Sequence, residues 1–374
     1  MKKTISFIFG TRPEAIKLAP VILDLKNDPR FTVHICVTAQ HRQMLDQVLE
    51  IFNIVPDVDL NIMKPNQSLS ELTANAIVGI DNYLKTHKPD LVLVQGDTTT
   101  VFAASLVSFY HKIPIGHVEA GLRTNNKFSP FPEEINRVLT SHVADIHFAP
   151  TTLSKENLVK EGVAPDTISI TGNTVIDALL LAKEMVKKNP PVISSLSANV
   201  LKNEKSIILI TGHRRENFGA GFESMCAAIA ELANEFPTYN FVYPVHLNPN
   251  VRDPVFRILG NKSNIFLIEP LSYLPFVSLM LRSVLILTDS GGIQEEAPTF
   301  GIPVLVMRDT TERPEGVAAG SVKLVGTSKD MIKKVARELL TNKTVYNSMA
   351  SVANPYGDGK ASKRIIEHIN KFLN

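Results

Sequence analysis

Short apolar runs alternate with longer amphipathic runs along the whole chain, and this alternation restricts the fold more than any other feature. Short apolar runs predict buried strands, and the amphipathic runs between them predict helices. Strand–helix–strand alternation is typical of a doubly wound α/β fold built on a parallel sheet. We expect two such domains, because the strands form two series. The predicted strands are residues 4–9, 32–38, 91–94, 115–118 and 146–148, then 206–211, 240–243, 265–268, 284–287, 303–306 and 323–325.

Length and composition agree with two soluble domains. The chain has 374 residues, of which 44% are hydrophobic and 20% are charged. Its net charge of +2 provides no general attraction to nucleic acid or to a membrane surface. No stretch approaches the ~20 apolar residues that a membrane span needs. Cys36 and Cys226 lie in apolar settings and are interpreted as reduced thiols. We therefore expect a cytoplasmic protein without a nucleic-acid or membrane partner.

A strand, a glycine turn and the start of a helix follow one another in residues 285–297, LILTDSGGIQEEA. The first N–H groups of a helix lack partners within the helix, and its dipole attracts anions. Gly291 and Gly292 allow a phosphate to approach the backbone. Glu296, one turn further on, can accept hydrogen bonds from both hydroxyls of a ribose. The segment therefore indicates a nucleoside diphosphate. The alternative is an ordinary strand–helix turn whose acidic groups face water.

The turn after the first predicted strand also has the features of an anion site. Thr11 and Glu14 have the spacing of a capping box, and Pro13 suits a first helical turn. Arg12 lies where a helix N-terminus already attracts anions, and Lys17 adds a second cation one turn later. We expect a phosphate contact here, whereas a capped helix alone does not explain Arg12.

Basic residues follow strands in the second half of the chain as well. His213 stands next to two arginines in residues 211–216, TGHRRE, and this pattern indicates a phosphate contact. Arg313 is placed to reach the same anion. His246 also follows a strand and is interpreted as a structural histidine.

Three acidic residues follow successive elements of the first half: Asp97, Glu119 and Glu133. A single acid in such a place is more often a helix cap or a solvated charge. Three together can divide the work of a base, a proton donor and a group that tunes the others by repulsion. Ligands of doubly wound sheets bind outside the carboxyl ends of the strands, so we expect these acids in a crevice shared by the two domains.

Several sequence signals of metal and cofactor sites are missing. The chain contains no HExxH, CxxC or GxxxxGK[ST] motif. Gly219-Ala220-Gly221 lacks the third glycine of a dinucleotide fingerprint. The segment 117–119, HVE, has no further ligands at a suitable spacing. We therefore expect no metal, no bound NAD and no other cofactor.

Long motifs throughout the chain resemble those of the non-hydrolysing UDP-N-acetylglucosamine 2-epimerases. They extend from Phe9 to Gly359 and include FGTRPEAIK, VTAQHRQMLDQVL, VQGDTTT, GHVEAGLRT, PFPEEINR, TGNTVIDAL, TGHRREN, YPVHLNPNV, LTDSGGIQEEAP and MRDTTERPEG. The resemblance implies a glycosyltransferase-B type fold, in which two Rossmann-like domains face a central cleft. It implies an N-terminal domain of residues 1–172 with the catalytic acids, a UDP-binding domain of residues 173–357, and a final helix, 358–374, that crosses back. It also implies a homodimer.

The resemblance implies reversible epimerisation of UDP-N-acetylglucosamine to UDP-N-acetylmannosamine, for surface polysaccharide synthesis in bacteria. The hydrogen on carbon 2 is not acidic, because no carbonyl adjoins it. Without NAD, the available route expels UDP to give 2-acetamidoglucal and then adds UDP back. This route needs cations at the diphosphate, acids around the sugar and the exclusion of water by domain closure.

The resemblance also assigns roles to individual positions. The implied catalytic residues are Asp97, Glu119, Glu133 and His213. The implied contacts to the UDP-sugar are Arg12, Lys17, Leu271, Phe276, Ser290, Gly291, Gly292, Glu296 and Arg313. Phe276 would meet the uracil, and Leu271 would offer backbone groups to it, although the sequence alone favours a core aromatic for Phe276. Which acid is the base and which is the proton donor stays open.

Some bacterial members of this family have a second, regulatory substrate site. Gln40, His41 and Gln43 match its motif. Residues 65–67, PNQ, lack the arginine that the regulated members have there. Allosteric activation by substrate is therefore left open.

Three other functions compete with this interpretation. A hydrolysing relative would release free N-acetylmannosamine, but such enzymes are often fused to a kinase domain, which is not expected here. A glycosyltransferase of the same fold would not need three acids around the sugar. A non-catalytic nucleotide-sugar sensor would keep Arg12 and Ser290 and could dispense with Asp97 and Glu119.

Overall fold

The computed structural model describes residues 2–39, 42–64, 66–202 and 206–374. The chain divides into two compact units. Unit 1 contains the residues up to 178 together with 356–374, and unit 2 contains residues 179–355. No helix within the described ranges is long and apolar enough to cross a membrane.

Strands and helices alternate along both units. The strands are β1 (Lys3–Phe9), β2 (Phe31–Val37), β3 (Val58–Asp59), β4 (Leu91–Gln95), β5 (Ile115–Val118), β6 (Ile146–Ala149), β7 (Ile168–Ile170), β8 (Ile207–Thr211), β9 (Asn240–Pro244), β10 (Ile265–Ile268), β11 (Ser283–Thr288), β12 (Val304–Val306) and β13 (Val322–Leu324). The helices are α1 (Arg12–Lys26), α2 (Arg42–Ile51), α3 (Leu69–Thr86), α4 (Thr99–Tyr110), α5 (Glu133–Val143), α6 (Thr152–Lys160), α7 (Thr174–Lys188), α8 (Ala198–Lys202), α9 (Ala220–Glu235), α10 (Pro249–Leu259), α11 (Tyr273–Leu281), α12 (Gly291–Glu296), α13 (Pro314–Ala319), α14 (Lys329–Thr341), α15 (Lys343–Ala350) and α16 (Ala361–Leu373).

Unit 1 is built on a seven-stranded sheet in the order β3-β2-β1-β4-β5-β6-β7. All of its strand pairs are parallel. The chain moves outward from β1 in both directions, so the point where the strand order reverses lies between β1 and β4. Ligands of doubly wound sheets bind at such a point, outside the carboxyl ends of the strands.

The last helix, α16, packs within unit 1. The carboxylate of Asp177 accepts hydrogen bonds from the N–H groups of Ala361 and Ser362 at 3.2 and 2.9 Å. The Ser362 hydroxyl donates to Asp24 on α1 at 2.7 Å. These bonds satisfy the first N–H groups of α16, which have no partner inside the helix.

Unit 2 has a six-stranded parallel sheet in the order β10-β9-β8-β11-β12-β13, and its strand order reverses between β8 and β11. Ile208 and Ile210 of β8 pack on one face with residues of α9 and α14, and Ile207 and Leu209 pack on the other. Successive side chains of a strand point to opposite faces. Because both faces are covered, β8 appears in the sequence as a continuous apolar run.

The predicted fold class, two doubly wound parallel-sheet α/β domains, is confirmed. The sequence did not predict β3 and β7, which are only two and three residues long. Short edge strands of this kind bury little apolar surface, so their sequence carries little signal.

Candidate functional site

The turns after β1 and β4 meet at the reversal point of unit 1, where a buried glutamate joins them. The Glu14 carboxylate accepts hydrogen bonds from the N–H groups of Gly10 and Thr11 at 3.1 and 2.7 Å. Its other oxygen accepts one from the Thr98 hydroxyl at 2.9 Å. Burial raises the pKa of Glu14 from its ordinary value of 4.5 to about 7. The predicted capping box is therefore present, and it also fixes the positions of Arg12 and Asp97 in the two turns.

Asp97 follows β4 and is held by two residues of α5. Its Oδ2 accepts a hydrogen bond from Arg137 Nη2 at 2.5 Å, and its backbone carbonyl accepts one from Asn136 Nδ2 at 3.0 Å. Burial raises the pKa of Asp97 above its ordinary value, the Arg137 charge opposes this rise, and the Glu119 charge adds to it. Asp97 is thus a carboxyl whose proton is held more tightly than in water.

Glu119 follows β5, is buried, and is held by a lysine and two amides. Lys17 Nζ contacts its two carboxylate oxygens at 2.6 and 2.7 Å, and the amide of Asn173 donates to it at 2.8 Å. The Gln95 amide donates a further hydrogen bond. An ammonium and two amides thus fix the position of the Glu119 carboxylate. The backbone of Glu119 has φ +66°, an uncommon conformation for a residue with a side chain.

His117, two residues earlier, is a structural group. Its imidazole is fully buried, and Nε2 donates a hydrogen bond to the Gly96 carbonyl at 2.7 Å. Burial lowers the pKa of His117 to about 3, so the ring is neutral. It supports the backbone that carries Asp97.

Glu133 is the first residue of α5 and is half-buried. The same helix supplies Asn136 and Arg137, so α5 connects the third acid to the turn that carries Asp97. The neighbouring Glu134 accepts hydrogen bonds from the N–H groups of the 124–125 turn and is therefore a structural acid.

The reversal point of unit 2 brings together His213, two residues after β8, and Asp289, one residue after β11. Asp289 is fully buried and accepts hydrogen bonds from the N–H groups of His213 and Arg214, both at 2.8 Å. The His213 ring stacks on that of His246, with 5.4 Å between ring centroids and 13° between planes. His246 is exposed, its ring stacks on His213 and its Nδ1 accepts a hydrogen bond from the Asn248 N–H, so its interpretation as a structural histidine stays a prediction.

The predicted glycine turn follows β11 directly. Ser290 is the N-cap of α12, and Gly291 and Gly292 are the first two residues of that helix, which begins two residues earlier than expected. A Cβ at Gly291 would lie 3.0 Å from Glu312 Oε1, so a larger residue there would require the Glu312 side chain to shift. Glu312 in turn pairs with Arg308 at 2.8 Å and lies 3.5 Å from Arg214. Three charged side chains thus surround this turn.

The remaining predicted contacts lie nearby in the same unit. Glu296 is half-buried at the end of α12. Arg313 forms an ion pair with the buried Glu295. Leu271 and Phe276 are half-buried and pack against one face of the sheet. Phe276 is therefore partly a core aromatic, as the sequence alone favours, and it also retains exposed surface.

Several partners of the predicted residues were not found by sequence reasoning. They are Gln95, Arg137, Asn173, Asp289, Glu295 and Glu312. Asp289 and Gln95 adjoin the quoted motifs and could have been noticed for that reason. No spacing rule connects Arg137 to Asp97, which lies 40 residues away.

Two further predictions concern the possible regulatory site and the absence of a metal. Gln40 and His41 of the possible regulatory motif lie outside the described residues, whereas Gln43 is exposed on α2. Among the described residues, no group of three or more His, Cys, Asp or Glu side chains is arranged to hold a metal ion.

Comparison with known proteins decides the family. The model of the UDP-N-acetylglucosamine 2-epimerase family matches residues 23–370, which is nearly the whole chain. The chain belongs to the UDP-N-acetylglucosamine 2-epimerase family.

Individual members of this epimerase family are similar over their full length. The UDP-N-acetylglucosamine 2-epimerase of Escherichia coli (strain K12) is 58% identical over 362 residues, which cover 96% of each chain. The crystal structure of the Neisseria meningitidis UDP-GlcNAc 2-epimerase bound to UDP-GlcNAc has a TM-score of 0.89 at 54% identity. That match covers 98% of this chain and 100% of the other.

The fold extends beyond the epimerases. The crystal structure of the glycotransferase of kitacinnamycin has a TM-score of 0.66 at 10% identity and covers both chains completely. At this identity the similarity concerns the fold alone. The fold is accordingly of the glycosyltransferase-B type, as the resemblance implied.

Proposed function

We propose that this chain interconverts UDP-N-acetylglucosamine and UDP-N-acetylmannosamine by eliminating UDP and adding it back. The family supports the substrate and the overall reaction. The observation that supports elimination is the presence of two neighbouring acids, Asp97 and Glu119, each bound by a cationic side chain at the reversal point of the unit 1 sheet. Two acids that repel each other at close range can take different roles in a proton transfer.

Elimination of UDP breaks one bond at carbon 1 and one bond at carbon 2 of the sugar. The bond between carbon 1 and the phosphate oxygen breaks, and its electron pair leaves with UDP. The proton on carbon 2 is transferred to a protein base, and the C–H electron pair forms the double bond of 2-acetamidoglucal. In the second step the double bond takes a proton at carbon 2 from the opposite face, and a phosphate oxygen of UDP supplies the electron pair for a new bond to carbon 1. The net change is inversion at carbon 2, without an oxidant or a reductant.

We assign different roles to the acids in this proposal. Glu119, whose carboxylate is positioned by Lys17 and Asn173, stabilises the positive charge that develops at carbon 1. Asp97 exchanges the proton at carbon 2 on one face, since its pKa is raised by burial. Glu133 serves the other face. These assignments go beyond what sequence spacing allows.

The cations and the glycine turn provide the contacts to UDP. Arg12, His213 and Arg313 stabilise the charge on the leaving diphosphate, together with the N–H groups of residues 290–292. Glu296 accepts hydrogen bonds from the ribose hydroxyls, and Phe276 packs against the uracil. Lys17, which the resemblance places at UDP, is paired with Glu119 here, so we propose that it acts on both the acid and the diphosphate.

The domain roles and the cellular setting belong to the same proposal. Residues 1–172 supply the acids, residues 173–357 bind UDP, and residues 358–374 complete the first domain. The protein acts as a cytoplasmic homodimer without a cofactor, and its product serves bacterial surface polysaccharide synthesis. The resemblance to the epimerase family supports these statements, and light scattering of the purified protein tests the dimer.

The variant Asp97→Asn tests the mechanism. We expect UDP to bind with an affinity close to that of the wild type, because Asp97 contacts the sugar in this proposal. We expect turnover and deuterium incorporation at carbon 2 to fall by at least 10²-fold, the contribution typical of a general base. Turnover at the wild-type rate would exclude Asp97 as the proton carrier.

Asp90→Asn is a matched control at the opposite end of the same strand. Asp90 precedes β4 and accepts a hydrogen bond from the Thr4 N–H at 2.7 Å. Asparagine keeps an acceptor at that position and removes the same charge. We expect this variant to retain full activity, which would separate the chemistry of Asp97 from the loss of one acidic group.

A further inference from the structure

We propose that Asp289 is the positioning residue of His213: its buried carboxylate holds the proton on Nδ1 and leaves Nε2 to face the diphosphate. The link to catalysis rests on the proposed function, in which His213 contacts the leaving group. The position of the proton on the His213 imidazole does not depend on that function.

The backbone around both residues is fixed by the sheet. β8 and β11 are neighbours, and the hydroxyls of Thr211 and Thr288 are 2.6 Å apart. The N–H of Asp289 donates to the Thr211 carbonyl at 3.2 Å. The next residue, Gly212, has its carbonyl held by the Tyr243 hydroxyl at 2.8 Å. Both ends of the His213–Asp289 pair are therefore anchored.

The two oxygens of Asp289 have different surroundings. Oδ2 accepts the N–H groups of His213 and Arg214 at 2.8 Å, so the orientation of the carboxylate is fixed. Oδ1 is buried and has no hydrogen-bond partner among the described residues. A buried carboxylate oxygen without a donor is costly, because its interactions with water have been lost.

The group placed to satisfy Oδ1 is the His213 ring. Its Nδ1 lies 3.6 Å from Oδ1, within ion-pair range and slightly beyond hydrogen-bond range. Catalytic hydrogen bonds are often long before the substrate binds and become shorter in the complex. A small rotation of the ring closes this gap. Since a carboxylate only accepts, Nδ1 must carry the proton, and the neutral ring then has its lone pair on Nε2.

Three groups act on the charge of His213. Partial burial lowers the pKa of His213 below its ordinary value, and the Asp289 charge opposes this by favouring the imidazolium form. His246, stacked on the ring, and the adjacent Arg214 lower the pKa further. When a diphosphate approaches Nε2, a second proton there is stabilised by two anions, the ligand and Asp289. The Asp289–His213 pair thus provides a charged hydrogen-bond donor, His213 Nε2–H, when UDP leaves.

Asp289→Asn tests this arrangement with little change in shape. The asparagine oxygen can still accept the two backbone N–H groups. Its NH₂ group then faces His213 Nδ1, which becomes an acceptor, so the proton of the neutral ring moves to Nε2. The readout is the nitrogen-15 spectrum of the histidine side chains in the ligand-free protein, recorded as a pH titration. His213→Gln identifies the signal by removing it.

At high pH we expect the proton of the neutral His213 ring to be on Nδ1 in the wild type. In Asp289→Asn we expect it to be on Nε2. We also expect the pKa of His213 to fall in the variant and kcat to fall at least tenfold. The same tautomer in both proteins would overturn the proposal. If Asp289→Asn does not fold, the wild-type titration alone decides, because an Nε2–H ring at high pH contradicts Asp289 as its partner. A wild-type protein with the Nδ1–H ring but no epimerisation would refute the proposed function and leave this inference intact.

Discussion

Glu14→Gln changes a single buried charge at the junction of the Arg12 and Asp97 turns. In the wild type, the Glu14 carboxylate is buried and accepts two backbone N–H groups and the Thr98 hydroxyl. Glutamine has the same shape and no charge. Its oxygen can keep the backbone bonds, and its NH₂ group can donate to Thr98. We therefore expect the variant to fold and to lose the pH dependence that Glu14 produces.

The magnitude follows from the pKa of Glu14, which burial raises from 4.5 to about 7. A change of one pKa unit corresponds to about 1.4 kcal/mol, so the full effect is about 3 kcal/mol. Because the folded pKa is raised, the folded state binds more protons than the unfolded state between pH 4.5 and about 7. The contribution of Glu14 to stability is therefore fully present below pH 4.5 and is lost as the pH rises through about 7.

Urea unfolding of both proteins at pH 5 and pH 8 measures this effect. We expect the free energy of unfolding of the wild type, minus that of Glu14→Gln, to fall by about 2–3 kcal/mol between these pH values. The comparison uses the first unfolding transition, since a chain of two units need not unfold in one step. An unchanged difference at the two pH values would refute the reasoning.

Glu71 provides a matched control, because it occupies the same capping-box position at the start of α3. Glu71 is exposed, and its hydrogen bond from the Ser68 N–H holds its pKa below the ordinary value. Its contribution is therefore lost as the pH falls, which is the opposite sign. Glu71→Gln separates the effect of burial from the effect of removing a capping charge.

Three further predictions concern the backbone at Gly121, the pKa of Asp97 and the surface of Phe276 that we propose binds uracil. Gly121→Ala should destabilise unit 1 by about 2–4 kcal/mol in a thermal or urea melt, because φ is +93° and the new Cβ would lie 2.1 Å from the Ser154 carbonyl oxygen. Gly162→Ala, with φ +90° and open space, should cost only about 1 kcal/mol, and equal losses would contradict the collision. Arg137→Met should raise the pKa of Asp97 and move the acidic limb of the kcat profile to higher pH, so that kcat measured on that limb falls about tenfold for each unit of the move; an unmoved limb would show that Asp97 does not titrate there. Phe276→Ala should weaken UDP binding about tenfold in calorimetry of the folded variant, and it should also lower stability because the ring packs partly against the sheet, whereas lost stability with normal UDP binding would make it a core residue alone.

The strands were predictable where a sheet is covered on both faces. In β8 the alternate residues belong to two different cores, so every position is apolar. The same reasoning fails for β3 and β7, since a short edge strand has few buried positions to mark it. The start of α12 at Gly291 was also missed, because glycine has a low helix propensity and was taken as part of the turn.

The positions of Asp97 and Glu119 after strands were predictable, but the side chains that hold them were not. Lys17 contacts Glu119 across 102 residues, and Arg137 contacts Asp97 across 40. Such pairs are set by the packing of elements, and no local pattern encodes them. His246 shows the same limit, because the stacking that joins it to His213 depends on how two loops approach each other.

The most direct test of elimination and re-addition is proton NMR of the purified protein with UDP-N-acetylglucosamine in heavy water and no other addition. We expect a new UDP-linked N-acetylmannosamine signal, with deuterium at carbon 2 of both epimers, since the proton leaves and returns through exchangeable groups. Release of free N-acetylmannosamine and UDP would instead show hydrolysis. An unchanged spectrum with substrate bound would contradict the proposed chemistry.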